Sequence, residues 1–401
     1  MLARGQVNVP TVIRETTAAI EKTPRNALAL RARSGAYYVS GESDQGRRDA
    51  EEVERLLAGA DTAEEYEARC YARWRLGKPD LAVSDCTRAI ELDSKFVWSY
   101  HNRANAYNDK GNPQGALADW NKAIELDSKF APAYNNRGTY YTNIGDYDRA
   151  IPDYSKAIEI DPQYANAYSS RGNAYYYKGD SDKALADYNK NMQLDPRDAK
   201  PYNYRGSLYF SRGDYDRAIA DYNKALELNP RFAWAFVNRG NAYYNQGQKD
   251  RAVADYNQAI GIDPQYSWAY LNRGNVYLDG KDYDRAIADY NKAIEINPNL
   301  AWAYNGRGLS YYYKNNLDQA IADYNKAIEN DPKEASGFYN NRGNVYYVRK
   351  DYNRAIADYT KAIEVNPKYA LAYGNRANAY QATGDTINAA ADRARANDLK
   401  K

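Results

Sequence analysis

Histidine occurs once in the 401 residues, cysteine twice, methionine twice and phenylalanine six times. One imidazole and two thiols cannot supply the converging ligands of a zinc centre or the base of a histidine-dependent triad, which disfavours most enzyme chemistry. No catalytic residue, cofactor or metal is therefore expected. A surplus of charge is missing too: 55 Lys and Arg stand against 53 Asp and Glu, a net of +2, so there is neither a basic field for nucleic acid nor an acidic tail. No stretch approaches the roughly 18 apolar residues of a membrane span, and the start from Met1 to Pro10 lacks the apolar segment of a signal peptide. These absences point to a cytoplasmic setting, with a leader already removed as the alternative. Cys70 and Cys86 are too few for a disulfide framework. Buried small thiols are the favoured reading and a local disulfide the other.

What the chain does contain is 43 tyrosines and a ruler of arginines. Arg69, Arg103, Arg137, Arg171, Arg205, Arg239, Arg273 and Arg307 are each 34 residues apart; Arg342 follows after 35, with one residue inserted near Ser336, and Arg376 after 34 more. With these arginines at position 7, repeats start at Ala63, Val97, Ala131, Ala165, Ala199, Ala233, Ser267, Ala301, Ser336 and Ala370, and a weaker one at Ala27. Within the repeat from Ala131, Tyr134, Gly138 and Tyr141, then Ala150, Tyr154 and Ala157, keep the three-and-four spacing of two amphipathic helices. Gly145 suits the left-handed end of the first helix, Asp146 the cap of the second, and Asp161-Pro162 its stop.

On these marks the chain resembles the tetratricopeptide repeat proteins, with Pro162, Pro196, Pro230, Pro264, Pro298, Pro332 and Pro367 at the family's proline and Ala150, Ala218, Ala252, Ala286, Ala320 and Ala355 at its central alanine. The resemblance implies an all-α fold, a right-handed superhelical solenoid of stacked helix-turn-helix units whose first helices line a concave groove that binds peptides or proteins. By this reading residues 1–26 are the second half of a divergent or truncated repeat, 27–60 a divergent repeat, 63–369 nine repeats, and 370–401 a last repeat with a polar capping helix. One departure stands out: position 7, usually leucine in the family, is arginine throughout. Each arginine has an aspartate 16 residues on, from Asp49 and Asp85 to Asp392. A guanidinium on the core side must be paired, which predicts an Arg–Asp ladder with tyrosine hydroxyls taking the remaining donors. Phosphate binding by these arginines is the weaker alternative.

Positions 2, 5, 6, 9, 12 and 13 then point to the groove. Asparagine recurs at position 6 (Asn102, Asn136, Asn238, Asn272, Asn341, Asn375) and at position 9 (Asn105, Asn173, Asn241, Asn275, Asn344, Asn378). It is a mediocre helix former, and an amide carries both a donor and an acceptor, so two such rows suit the backbone of an extended peptide. The pattern is similar to the asparagine ladder in the repeat superhelix of O-linked N-acetylglucosamine transferases, although the repeats continue to Lys401 and leave no room for a transferase domain. Solvation, or bonding along the ladder, is the alternative. Trp98, Trp234, Trp268 and Trp302 share position 2 and read as an exposed aromatic row for recognition. Charge is scarce at positions 2, 5, 6 and 9, with Lys200 and His101 the main exceptions. That argues against a grip on chaperone tails and against a nucleic-acid track.

The sequence thus predicts a non-enzymatic scaffold that holds a protein or unstructured peptide segment, without membrane insertion. A self-associating structural protein, joined through its N-terminal end, is one alternative, and the repeat region of a larger enzyme or adaptor is another.

Overall fold

The computed structural model describes residues 9–400, and every regular element among them is an α-helix. In the first half these are α1 (Val9–Lys22), α2 (Ala27–Val39), α3 (Ser43–Leu56), α4 (Ala63–Arg75), α5 (Pro79–Leu92), α6 (Val97–Asp109), α7 (Pro113–Leu126), α8 (Ala131–Asn143), α9 (Tyr147–Ile160), α10 (Ala165–Tyr177) and α11 (Ser181–Leu194). There follow α12 (Ala199–Ser211), α13 (Tyr215–Leu228), α14 (Ala233–Asn245), α15 (Lys249–Ile262), α16 (Ser267–Asp279), α17 (Tyr283–Ile296), α18 (Ala301–Tyr313), α19 (Leu317–Asn330), α20 (Ser336–Val348), α21 (Tyr352–Val365), α22 (Ala370–Thr383) and α23 (Thr386–Asp398). Every even-numbered helix begins at the residue where the arginine ruler starts a repeat. The chain divides into two compact units, one up to Tyr204 and one from Arg205, with α12 spanning the division. Of the 1–26 segment, residues 1–8 lie outside the described residues.

Within each unit the helices of a repeat pack on each other, and first helices of adjacent repeats also touch, α4 on α6 in one unit and α16 on α18 in the other. The turn between them is set locally. Gly145 sits at φ +76°, where a Cβ would be strained, and Asp146 accepts the Arg149 amide at 3.0 Å to cap α9. In three later repeats the same turn position is filled without glycine, by Lys281, Asn315 and Lys350, all at φ near +61 to +62°.

The core of a repeat is a size match between positions 8 and 24. Gly240 leaves room for the ring of Tyr256: a Cβ there would lie 2.7 Å from Cε1, and the same holds for Gly172 against Tyr188 and Gly343 against Tyr359. Part of the tyrosine excess has its cause here, because in the seven repeats from Ala131 to Ser336 one ring fills the space its partner glycine vacates. Where position 8 grows to Ala104, position 24 is Trp120, and the pair is still buried.

In the repeat from Ala63 these two positions hold Cys70 and Cys86, both fully buried and joined by a disulfide with a Cα–Cα distance of 5.4 Å. The favoured reading of free buried thiols is corrected: positions 8 and 24 face each other across the helix pair, as the Gly–Tyr pairs of the later repeats show, so two cysteines placed there meet. No helix among the described residues is long and apolar enough to cross a membrane.

Candidate functional site

The arginines of position 7 are built into the scaffold. Arg273 donates from Nε and Nη2 to the two oxygens of Asp289 at 2.8 and 2.6 Å, and the same fork joins Arg239 to Asp255 and Arg137 to Asp153. Each fork ties the two helices of one repeat. The aspartates are buried while the arginine side chains keep about a fifth of their surface, 20% for Arg273 against 8% for Asp289. Their hydrogen bonds to Asp153 and Asp289 hold the Arg137 and Arg273 guanidinium groups above the usual arginine range, against the opposing effect of burial. Tyrosine hydroxyls do not take the remaining donor, as the sequence had suggested. Except at Arg69, which donates to the Leu57 and Ala58 carbonyls, it goes to position 25 of the preceding repeat, as with Asn257 for Arg273, Asn121 for Arg137, Ser155 for Arg171 and Thr360 for Arg376. Thr17 of α1 serves Arg33 in this way. The tyrosines contribute their ring faces, Tyr270 lying 5.6 Å from the Arg273 guanidinium and Tyr304 5.5 Å from that of Arg307. Paired, stacked and facing inward, these groups have no free donor fork to offer a phosphate.

Asparagine at position 9 has a partner that the sequence reading missed. The buried hydroxyl of position 24 donates to it: Tyr256 to Asn241 at 2.7 Å, Tyr290 to Asn275 at 2.8 Å, Tyr359 to Asn344 at 2.8 Å and Tyr188 to Asn173 at 2.8 Å. Burial pushes the Tyr256, Tyr290 and Tyr359 hydroxyls above their ordinary range, so they stay protonated donors. Where position 9 is Thr139 or Ser207, its hydroxyl takes the bond instead. The signal was in the sequence: a tyrosine 15 residues after nearly every polar position 9.

The two units then differ in what is left free. In the first unit the face is closed from α2 to α8. Asn102, 1% exposed, donates to Glu67 at 2.5 Å, and Glu67 also accepts from Arg31 at 2.6 Å. The Arg31 guanidinium lies 4.5 Å from the Tyr71 ring and 5.2 Å from Trp98, which in turn packs edge-on against Phe130 at 4.8 Å. Asn105 is buried and accepts from both Trp120 and Asn136. The expectation that Asn102, Asn105 and Trp98 line an open groove is therefore corrected: position 5 faces the neighbouring first helix, and Arg31 and Glu67, an ion pair unnoticed in the sequence, draw these side chains inward. Asn136 is committed to the ladder, and Asn173 is half-buried.

His101 belongs to the same cluster, buried between Trp98 and Phe130 with Asn105 at 3.3 Å from Nε2. Burial, followed by the charges of Arg31 and Arg75, pushes its imidazole down to about 3. The unfolded chain then binds a proton, near the ordinary histidine value of 6.5, that the folded one refuses, so this contribution to stability is complete above pH 6.5 and lost as pH falls towards 3. Between pH 7 and 5, unfolding free energy is expected to fall by about 2 kcal/mol, and His101→Gln to remove that slope in urea titrations.

In the second unit the face is open. Trp234, Trp268 and Trp302 are 38%, 45% and 48% exposed at one helical position in consecutive repeats. Among the described residues Asn272 makes no side-chain hydrogen bond, and the amide nitrogens of Asn241 and Asn275 are left free once their oxygens have accepted Tyr256 and Tyr290. Asn238 reaches Ser207 at 3.4 Å. Further along, Asn341 donates to Asn305 at 2.9 Å, Asn375 to Asn340 and Asn344, and Asn378 stands exposed. The tyrosines of position 13 sit at the turn edge, where Tyr313 stacks on Tyr283 at 5.4 Å, rather than over the groove.

Comparison with known proteins accords with this repeat geometry. Family models described as tetratricopeptide repeat match residues 97–130, 131–164, 165–198, 301–334, 338–369 and 358–391, and one described as TPR repeat matches 206–247, 240–280 and 274–314. No curated protein matches the chain. Among solved structures, a tetratricopeptide repeat protein from Parabacteroides merdae is 22% identical, covers 62% of this chain and 98% of its own, and superposes with a TM-score of 0.52. MamA is 32% identical over 41% of this chain and 96% of its own, at a TM-score of 0.37. YrrB, described as a TPR protein with an unusual peptide-binding site, is 26% identical over 46% of this chain and 95% of its own, also at 0.37. With helix pairs opening at every register mark and family models covering well over half of its length, the chain belongs to the tetratricopeptide repeat family.

Proposed function

We propose that the protein is a non-enzymatic scaffold whose second unit binds an extended, low-charge peptide segment of a partner protein. The observation that carries this reading is the coincidence, on α14, α16 and α18, of uncommitted amide nitrogens at Asn241, Asn272 and Asn275 with three exposed indoles. Amide donors in a row suit the carbonyls of a peptide backbone, and indoles supply anchor area for its side chains. Asn238, Asn341, Asn344 and Asn375 extend the same rows with part of their hydrogen-bonding capacity spent inside the ladder, and the exposed Asn378 ends them. The first unit, its face occupied by its own Arg31, Glu67 and Trp98, acts as scaffold. Cys70–Cys86 moves the expected setting away from the reducing cytoplasm, because disulfides persist in oxidising compartments.

The test is selection from a library of unstructured peptides, followed by titration of the selected peptide into the wild type and into Asn241→Ala/Asn272→Ala/Asn275→Ala, with folding of both checked by circular dichroism. At about 0.5–1.5 kcal/mol per hydrogen bond, the variant should bind at least about tenfold more weakly. Equal binding by a folded variant would remove the asparagines from the site.

A further inference from the structure

The open face of the second unit is interrupted at α18. Positions 2, 6 and 9 lie on one stripe of a first helix, and they read Trp234, Asn238, Asn241 on α14, Trp268, Asn272, Asn275 on α16 and Gly337, Asn341, Asn344 on α20. On α18 they read Trp302, Gly306 and Leu309, with neither amide nor charge.

This departure is built in at a structural expense. Tyr324 occupies position 24 of that repeat, fully buried, and its hydroxyl is an orphan among the described residues. Its acceptor is missing because Leu309 stands where Asn241, Asn275 and Asn344 accept the corresponding tyrosines. A buried hydroxyl left without a partner is destabilising, and Asn at 309 is the remedy used in the repeats on either side. Gly306 is constrained from the other side. A Cβ there would lie 2.5 Å from Cζ of the fully buried Tyr290, so packing against the preceding repeat excludes an amide at this position. A local rule broken in one repeat, where the surface turns apolar, marks function rather than folding.

We infer that this stripe is the specificity subsite of the peptide groove and takes one large apolar or aromatic side chain of the bound segment, seated on Trp302 and Leu309. The inference rests on the peptide-binding reading and deepens it. Hydrogen-bond complementarity favours that occupant. Asn272 and Asn275 on one side, and the Asn344 nitrogen on the other, offer donors to backbone carbonyls, while the stripe between them has no polar group but the Trp302 indole N–H. Neighbouring first helices lie about 8–10 Å apart and an extended chain advances about 3.3 Å per residue. The bound motif is then one large apolar residue with about two permissive residues on each side before the next repeat is reached.

Selection from a random library of unstructured twelve-residue peptides tests this, with wild type, Leu309→Asn and Trp302→Ala in parallel. The wild type should enrich a large apolar residue at one fixed place. Leu309→Asn gives Tyr324 its acceptor, so it should melt no lower than the wild type and yet bind the selected peptide at least tenfold more weakly; Trp302→Ala, at an exposed position, should show the same loss. If the wild type binds peptides with no apolar position enriched, or both variants bind the selected peptide as the wild type does, the subsite is overturned and the groove stands. If the wild type enriches no peptide at all, the groove reading falls and the subsite with it.

Discussion

Replacing Asp289 with alanine is expected to lower stability by about 3 kcal/mol, as is the same change at the matching aspartates Asp255, Asp323 and Asp358. The aspartate is 6% exposed and accepts both arms of the Arg273 fork. Its removal leaves a guanidinium that Asn257 and the Tyr270 ring hold in place but cannot neutralise. Breaking one side of a buried pair costs about 3–5 kcal/mol; the partial exposure of Arg273 lets water relieve some of that and places the effect at the lower end. Because each repeat contacts only its neighbours, the loss should be local, with amide hydrogen exchange rising first across residues 267–300. Asp289→Leu combined with Arg273→Met should recover much of the loss, since a buried pair replaced as a whole by apolar side chains is often neutral. A double variant as unstable as the single one would show that the fork itself, and not the stranded charge, sets the stability.

Reduction of Cys70–Cys86 is the second large effect. The bond closes a loop of 16 residues between α4 and α5, for which chain entropy gives about 3 kcal/mol. Unlike the seven repeats from Ala131 to Ser336, this one has no Gly–Tyr packing at positions 8 and 24 to fall back on. Reductant, or Cys70→Ala with Cys86→Ala, should therefore loosen the repeat from Ala63 while leaving the second unit protected from exchange. The alanine pair adds a cavity to the lost cross-link. Cys70→Gly with Cys86→Tyr installs the pair found at Gly138 and Tyr154 and should fold better in reductant than the alanine pair. Thiol alkylation of the native protein should label neither cysteine; labelling of both would contradict the buried bond.

The sequence made the scaffold legible because its marks are periodic. The arginine register placed the start of every first helix from α2 to α22, and the glycines and aspartates of the turns told where helices end, because one residue type suffices to set each of those conformations. The Arg–Asp fork was legible as a matched pair 16 residues apart, but its third donor was not. Asn257 and Asn121 belong to the preceding repeat, and only stacking brings them to the guanidinium. The groove was half legible. Helical spacing put positions 2, 6 and 9 on one face, yet it could not show that Tyr256 and Tyr290 would take the oxygens of Asn241 and Asn275, nor that Arg31 and Glu67 would fold Asn102 and Trp98 into the first unit. Those outcomes depend on contacts between helices 15 to 36 residues apart. Cys70 and Cys86 were misjudged by counting cysteines rather than reading their repeat positions, which hold the facing Gly–Tyr pairs of the later repeats.

The central claim is that the free amide nitrogens of the second unit, and not those of the first, meet the peptide. Side-chain amide resonances of asparagine report it directly when a selected peptide is titrated into the intact protein. The Nδ2 protons of Asn241, Asn272 and Asn275 should shift saturably with peptide, while those of Asn102 and Asn136, already bonded to Glu67 and Asn105, stay in place. Shifts at Asn102 and Asn136 with none at Asn241, Asn272 and Asn275 would contradict the account.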